Sequence, residues 1–323
     1  MSSLTPIIAT DRKHLELLIE QAISTHGQNC DLNHIDVSHI TSLRQLFMRF
    51  VDFNGDISGW DVSSVTDMAS MFAHSHFNGD ISEWNVANVV NMDSAFKHSH
   101  FNGGLSKWDV SSVTDMCSMF YGAAFNSDIS NWTVSNVNVM QEMFADSIFN
   151  GDLSKWDVSC VKDMSGIFSA SVFNGDVSQW DVSNVNNMSF AFFRSPFKGN
   201  LSAWNVLNVS NFSSMFSESI FSGDLSKWNT QSALAMTAMF SKNRHFNLPI
   251  GGWNVSQIID IERMFYSSAF AQDVSSWTLS GNTTLDGVND KNLSFLAAQS
   301  RMAPWVVELH IQNQKFPVEP QWR

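Results

Sequence analysis

Apolar residues return along this chain on a beat of 24, and the stretch from Phe53 to His76 shows one full measure of it. Counted from the opening Phe, apolar side chains fill positions 1, 5, 8, 10, 13, 16, 19 and 20. In the copy that starts at Phe77 these are Phe77, Ile81, Trp84, Val86, Val89, Met92, Ala95 and Phe96. Positions 8 and 10 alternate with polar neighbours, the periodicity of a half-buried strand. Positions 13, 16, 19 and 20 are spaced as one face of a short helix. The Ser or Asn at position 12 (Ser64, Asn88, Ser112, Asn136, Asn184, Asn208) stands where a helix cap is expected, with Asp67, Asp115 or Asp163 in the first turn. The Asn-Gly pair at positions 2 and 3 reads as a turn.

The same unit opens at Phe53, Phe77, Phe101, Phe125, Phe149, Phe173, Phe197 and Phe221, then at Phe246 after one extra residue, and at Phe270 as a truncated copy. Residues 31–52 are a degenerate first coil, in which Asp36, Val37, Ile40, Leu43, Leu46 and Phe47 match Asp61, Val62, Val65, Met68, Met71 and Phe72. Self-similarity at a fixed period of this length is the signature of a solenoid, in which each coil touches only its neighbours. The expected fold is an α/β repeat solenoid: about ten 24-residue coils, with short parallel strands on one face and short helical turns on the other. Residues 1–30 lie outside the repeat, and DRKHLELLIEQAI reads as a helix capped by Thr10, with Leu15, Leu18, Ile19 and Ala22 on one face and Gly27 ending it. The expected organisation is an N-terminal helical cap (1–30), the repeat (31–280) and a C-terminal cap (281–323). In that last segment NLSFLAAQSRM reads as a helix capped by Asn292, with Trp305, Val306 and Leu309 covering the final coil.

The pattern I-S-x-W-D-V-S-x-V-x-D-M-x-x-M-F, preceded by FNGD, resembles the repeat of the BspA-like leucine-rich-repeat surface proteins of bacteria. The resemblance covers Asp36 to Trp277, and Ile57, Trp60 and Val62 fit the LxxLxL core of leucine-rich repeats. It implies a right-handed leucine-rich-repeat stack and, by family, a surface or secreted adhesin that binds a host protein.

Charge narrows the partners. With 18 basic and 31 acidic residues the net charge is −13, which disfavours nucleic acid and anionic membrane and favours a basic protein partner. The three cysteines, Cys30, Cys117 and Cys160, form no CxxC pair and read as free thiols of a reducing compartment. The first residues lack the basic and apolar regions of a signal peptide, and no apolar run approaches the length of a membrane span. Those features point to the cytoplasm and away from membrane insertion, whereas the family resemblance points to the surface. No phosphate loop, HExxH, CxxC or GxSxG occurs, so a non-enzymatic module with no cofactor is expected.

Three ladders of side chains are the candidate sites. At position 4 stand Asp56, Asp80, Asp128, Asp152, Asp176 and Asp224, interrupted by Gly104 and Asn200; they would either hold a cation or accept N–H bonds within the Asn-Gly turn. The second ladder is His74, His76, His98 and His100, two HxH pairs on adjacent coils, which could share a zinc ion or be surface-loop residues left by duplication, with His76 and His100 half-buried. The third is position 9 of the expected strand face: Asp61, Asn85, Asp109, Asp157, Asp181 and Asn205, flanked by variable position 7 and hydroxyl-rich position 11. This last ladder is the expected partner-binding surface of a protein-interaction module. An intracellular inhibitor or immunity-type protein with the same acidic surface is the other reading, and the absence of exposed aromatics there counts against a glycan platform.

Overall fold

The computed structural model describes residues 6–281, 283–284 and 287–288. The C-terminal helix and apolar segment expected after residue 290 lie outside the described residues. The chain divides into two compact units, Met1–Asp176 and Val177–Arg323.

Unit 1 opens with strand β1 (Ile7–Ile8), helix α1 (Arg12–His26) and strand β2 (Ile35–Asp36), and β1 pairs in parallel with β2. The helix is capped by Asp11 rather than Thr10: the Asp11 carboxylate accepts the His14 N–H at 2.8 Å, while the Thr10 hydroxyl lies against the His14 ring. Gly27 ends it with φ +82°, its N–H reaching the Ile23 carbonyl at 2.8 Å. Leu15, Ile19 and Ala22 are buried and Leu18 is half-buried. On the outer side Glu16 links Arg12 to Arg49 of the degenerate first coil.

The coils themselves are built from neither the expected helices nor the expected strands. Over positions 15–22 the chain runs through overlapping turns, and the even-numbered N–H groups point out of the coil. Met68, Ser70, Phe72 and His74 donate to the carbonyls of Asn91, Asp93, Ala95 and Lys97 in the next coil, at 2.7–2.9 Å. Of the odd-numbered groups, Asp67 reaches back to the Thr41 carbonyl and Ala69 meets the Asp67 side chain, while Met71, Ala73 and Ser75 donate locally to Met68, Ser70 and Phe72. Unit 2 repeats the scheme, Phe212, Ser214, Phe216 and Glu218 reaching Ala235, Thr237, Met239 and Ser241. Every backbone donor in the segment therefore has a partner. An α-helix here would keep all its bonds to itself, and at 10–12 Å in diameter it could not repeat at the ~4.8 Å spacing of hydrogen-bonded neighbours. The apolar spacing of three, three and one survives because successive turns advance the chain at nearly the same period.

Parallel pairing accordingly falls at position 15, through Asp67, Asn91, Asp115, Val139 and Asp163 in unit 1 and Asn187, Asn211, Ala235, Asp260 and Thr284 in unit 2. Positions 8–10, expected as strand, lie between two turns, closed by Trp84 N–H to Ile81 and Val89 N–H to Val86. The scheme also forces a left-handed backbone at positions 18 and 22 of each coil, where Ser70 and His74 have φ +54° and +60°, and Ser94 and His98 +56° and +52°. Few of these residues are glycine.

Side chains form the second set of ties. In each unit the position-20 Phe stacks on the next opening Phe, 4.7 Å between ring centroids for Phe72–Phe77, 4.0 Å for Phe168–Phe173 and 4.2 Å for Phe216–Phe221. Opening Phe rings also follow one another in parallel, Phe53 over Phe77 at 6.1 Å and Phe77 over Phe101 at 6.3 Å. Within each unit the position-8 Trp donates its indole N–H to the position-5 carbonyl of the preceding coil: Trp84 to Ile57, Trp108 to Ile81, Trp132 to Leu105, Trp204 to Val177 and Trp228 to Leu201, all within 2.9–3.1 Å. This bond explains why position 8 is Trp and not another large apolar residue.

The Asn-Gly pair is no ordinary turn. Asn54, Asn78, Asn102 and Asn126 each accept, at 2.8 Å, the backbone N–H of the matching Asn in the next coil, forming an asparagine ladder. Crowding favours glycine where it occurs: a Cβ on Gly79 would come within 2.8 Å of the Phe77 ring, and one on Gly151 within 2.6 Å of Phe149. Position-12 asparagines are not helix caps either, since Asn88 and Asn136 donate to the Ser63 and Ser111 carbonyls of the coil before. The extra residue before Phe246 is absorbed by fully buried Asn243. Its carboxamide donates to the Phe221 carbonyl at 3.0 Å and accepts the N–H groups of His245 and Phe246.

Two substitutions separate packing from the indole bond. Trp132→Ala should cost about 3–5 kcal/mol, as for a core aromatic. Trp132→Phe keeps a ring but strands the Leu105 carbonyl, and should cost about 1–3 kcal/mol. Urea unfolding measures both, and a Phe variant as stable as the parent would show that the indole bond contributes nothing.

Candidate functional site

The exposed columns are made by a device that the apolar pattern does not reveal. Asp or Asn at positions 4, 9 and 15 turns its side-chain oxygen onto the N–H two residues ahead. At position 9 the pairs are Asp61 with Ser63, Asn85 with Ala87, Asp109 with Ser111, Asp157 with Ser159, Asp181 with Ser183 and Asn205 with Leu207, at 3.0–3.2 Å. At position 4 Asp56, Asp80, Asp128, Asp152 and Asp224 take the N–H of the Ser at position 6, each at 2.9 Å. These carboxylates thus brace the corner that follows them, not the Asn-Gly before them. Asp67 and Asp115 at position 15 do the same for Ala69 and Cys117. Ser, Asn and Asp favour such local bonds, which compete with strand and helix.

All six expected partner-binding residues, Asp61, Asn85, Asp109, Asp157, Asp181 and Asn205, are exposed. The first four belong to unit 1 and the last two to unit 2. Along unit 1 the column reads Asp36, Asp61, Asn85, Asp109, Thr133, Asp157, so beyond Asp61 the carboxylates are separated by uncharged residues. Asp61 is held below the usual carboxylate range by its bonds to the Ser63 hydroxyl and N–H, against opposition from Asp36. Asp109 is lowered by the same pair of bonds to Ser111, with no neighbouring carboxylate acting against it. Position 7 couples to itself across coils, Lys107 pairing with Glu83, with a smaller influence from Asp80 at position 4.

The four histidines separate into two pairs. His74 stacks on His98 at 5.1 Å, and His76 on His100 at 4.5 Å, with His76 Nδ1 3.0 Å from Asp52. All four are exposed, which overturns the half-buried reading of His76 and His100. Among the described residues no three His, Cys, Asp or Glu side chains are grouped so as to hold a metal ion. His98 also meets Tyr121 edge-on at 5.0 Å, and its ring fills the space beside Gly122, where a Cβ would lie 2.3 Å from Nδ1. Burial, then His74 and Lys97, lower the His98 pKa. Among the described residues no helix is long and apolar enough to cross a membrane.

Charge is divided unevenly. Unit 1 holds 8 basic and 21 acidic residues and unit 2 holds 10 of each, so the whole excess of −13 belongs to unit 1.

The 24-residue periodicity, carried through both units, is also what a family model captures: three overlapping matches fall on residues 17–110, 92–197 and 193–300. The chain belongs to the family described as Mycoplasma protein of unknown function, DUF285. The three matches, spanning residues 17–300, support tandem repeats across the chain. No curated protein and no solved structure matches the chain.

The side-chain bonds set a pH dependence. Asp56, Asp61, Asp80, Asp109, Asp128, Asp152, Asp181 and Asp224 all lie below the ordinary carboxylate value, Asp61, Asp80 and Asp128 against repulsion from a carboxylate of their own column. A carboxylate with a depressed folded pKa adds stability above its unfolded value near 3.9 and loses it as pH falls through the folded one. Thermal melting should therefore drop steeply below about pH 4. A melting temperature that rises on acidification would show that repulsion outweighs the turn bonds.

Proposed function

We propose that the stacked repeats form a solenoid of leucine-rich-repeat type, akin to the BspA-like proteins, that works as a non-enzymatic protein-interaction module. In this reading the partner is basic and docks on unit 1 through the position-9 column. The observation that carries it is the confinement of the −13 excess to unit 1, where Asp61, Asp109 and Asp157 stand exposed at fixed coil intervals. Their local bonds use one oxygen to brace the corner and leave a charged, oriented carboxylate outside. A lysine- or arginine-rich surface could engage several coils at once, each exposed pair contributing about 0.2–1 kcal/mol. Opposite charge on the two partners would speed encounter more than it tightens the final complex.

The column supplies its own control. Asn85 and Asn205 accept the same bond as their Asp counterparts, so Asp109→Asn with Asp157→Asn removes two charges while keeping both corners. The double variant should melt within about 0.5 kcal/mol of the parent, as surface changes do. In pull-downs from native lysate it should recover less of a basic partner and show a weaker salt dependence. Asp67→Asn with Asp115→Asn, at position 15, should leave recovery unchanged. If the position-15 pair abolishes recovery and the position-9 pair does not, the surface has been placed on the wrong column.

A further inference from the structure

One residue violates the rules that its own column obeys. Position 18 needs a left-handed backbone and is filled by Gln45, Ser70, Ser94, Ser118, Glu142 and Gly166 in unit 1 and by Ser214, Ala238 and Arg263 in unit 2. At Phe190 the same position carries a bulky aromatic with φ +58° and 46% of its surface exposed. A bulky residue in that region is a steric outlier, and it persists only where the surroundings leave the backbone no choice. Here the Phe190 N–H is tied to the Ser213 carbonyl at 2.9 Å and the Phe190 carbonyl to the Phe193 N–H at 3.0 Å. The side chain contributes to no core that would offset the strain.

Its surroundings have the composition of a binding hot spot. Half-buried Phe193 meets Phe190 edge-to-face at 5.7 Å, and the Arg194 guanidinium lies 4.9 Å over the Phe193 ring. Arg194 Nε donates to Glu218 Oε2 at 2.7 Å, and Lys242 Nζ holds Glu218 Oε1 at 2.9 Å. Hydrogen bonds from Arg194 and Lys242 keep the Glu218 carboxylate below its usual range, so it is neutralised within the patch. Two cations thus face one satisfied anion. The guanidinium has five N–H donors and the Glu218 contact engages the one on Nε, so planar donors remain for a second carboxylate. Exposed aromatics beside an arginine are what interface hot spots are made of.

We infer that Phe190, Phe193 and Arg194 form a docking patch on unit 2 for a polypeptide segment that places a carboxylate beside an aliphatic side chain. The aliphatic group would cover Phe190 and the carboxylate would sit on Arg194, with Lys242 adding charge. This site is independent of the acidic column on unit 1 and selects the opposite charge, so either can fail alone.

Short random peptides displayed on phage, selected on the full chain and counter-selected on a Phe190→Ser variant, test the assignment. Ser is the residue at position 214 of the same column, so the variant should melt at or above the parent temperature. Enriched peptides should carry Asp or Glu next to Leu, Ile or Val, and should lose affinity about tenfold or more against Phe190→Ser and against Arg194→Gln. Enrichment of basic peptides, or of the same peptides on the parent and on Phe190→Ser, would overturn the patch. So would a clear fall in melting temperature for Phe190→Ser, because Phe190 would then be a packing residue.

Discussion

Everything in this protein depends on the alternation of backbone N–H groups along positions 15–22. From position 16 onward they alternate between local bonds inside a coil and bonds to the next coil, as Met68, Ser70, Phe72 and His74 reach Asn91, Asp93, Ala95 and Lys97. That arrangement fixes the coil spacing at the distance of one hydrogen-bonded neighbour, ~4.8 Å, and leaves no room for a helix in the coil. Its cost is the left-handed conformation at positions 18 and 22, of order 1–2 kcal/mol for each residue with a Cβ. The core offsets it: a fully buried Phe or Trp is worth about 1.5–3 kcal/mol, and each full coil supplies at least two Phe and one Trp that are almost wholly inside.

The side chains are then selected by repetition rather than by local preference. At position 8 the indole N–H reaches back one coil, while at position 2 the carboxamide oxygen reaches forward one coil. Position 3 is glycine in seven coils, where a Cβ would crowd the opening Phe, while Ser127, Leu248 and Gln272 fill it in the others. Where one residue too many enters, before Phe246, the column-23 serine gives way to Asn243, whose carboxamide satisfies the displaced groups. A single coil could make few of these bonds, so stability should be shared between neighbours.

The same logic reframes the acidic columns. The recurrence of Asp or Asn at positions 4, 9 and 15 has a structural cause, since either side chain can brace the corner two residues on. Recognition, if it uses these columns, rests on what Asp adds to Asn, namely charge. Unit 1 carries the net excess of that charge, whereas unit 2 is balanced. Phe190 is the converse case, a residue that the corner disfavours and packing does not reward.

The repeat period, the apolar positions and the identity of the core aromatics were legible in the sequence because burial acts on each residue separately and recurs every 24 residues. The N-terminal helix was legible too, for its apolar spacing and its terminal glycine are local properties. What could not be read was the direction of the hydrogen bonds. A turn that sends its N–H to the next coil and a helix that keeps it inside share one apolar period, so Val89, Met92, Ala95 and Phe96 suit both. Asn at positions 2 and 12 and the Asp columns were likewise ambiguous, because their partners lie a coil away or on corners that form only as the chain folds. The four histidines show the limit most simply: sequence placed them together, but only stacking decided that His74 meets His98 and His76 meets His100. Pairing across 24 residues is a property of the assembled stack, and no single coil encodes it.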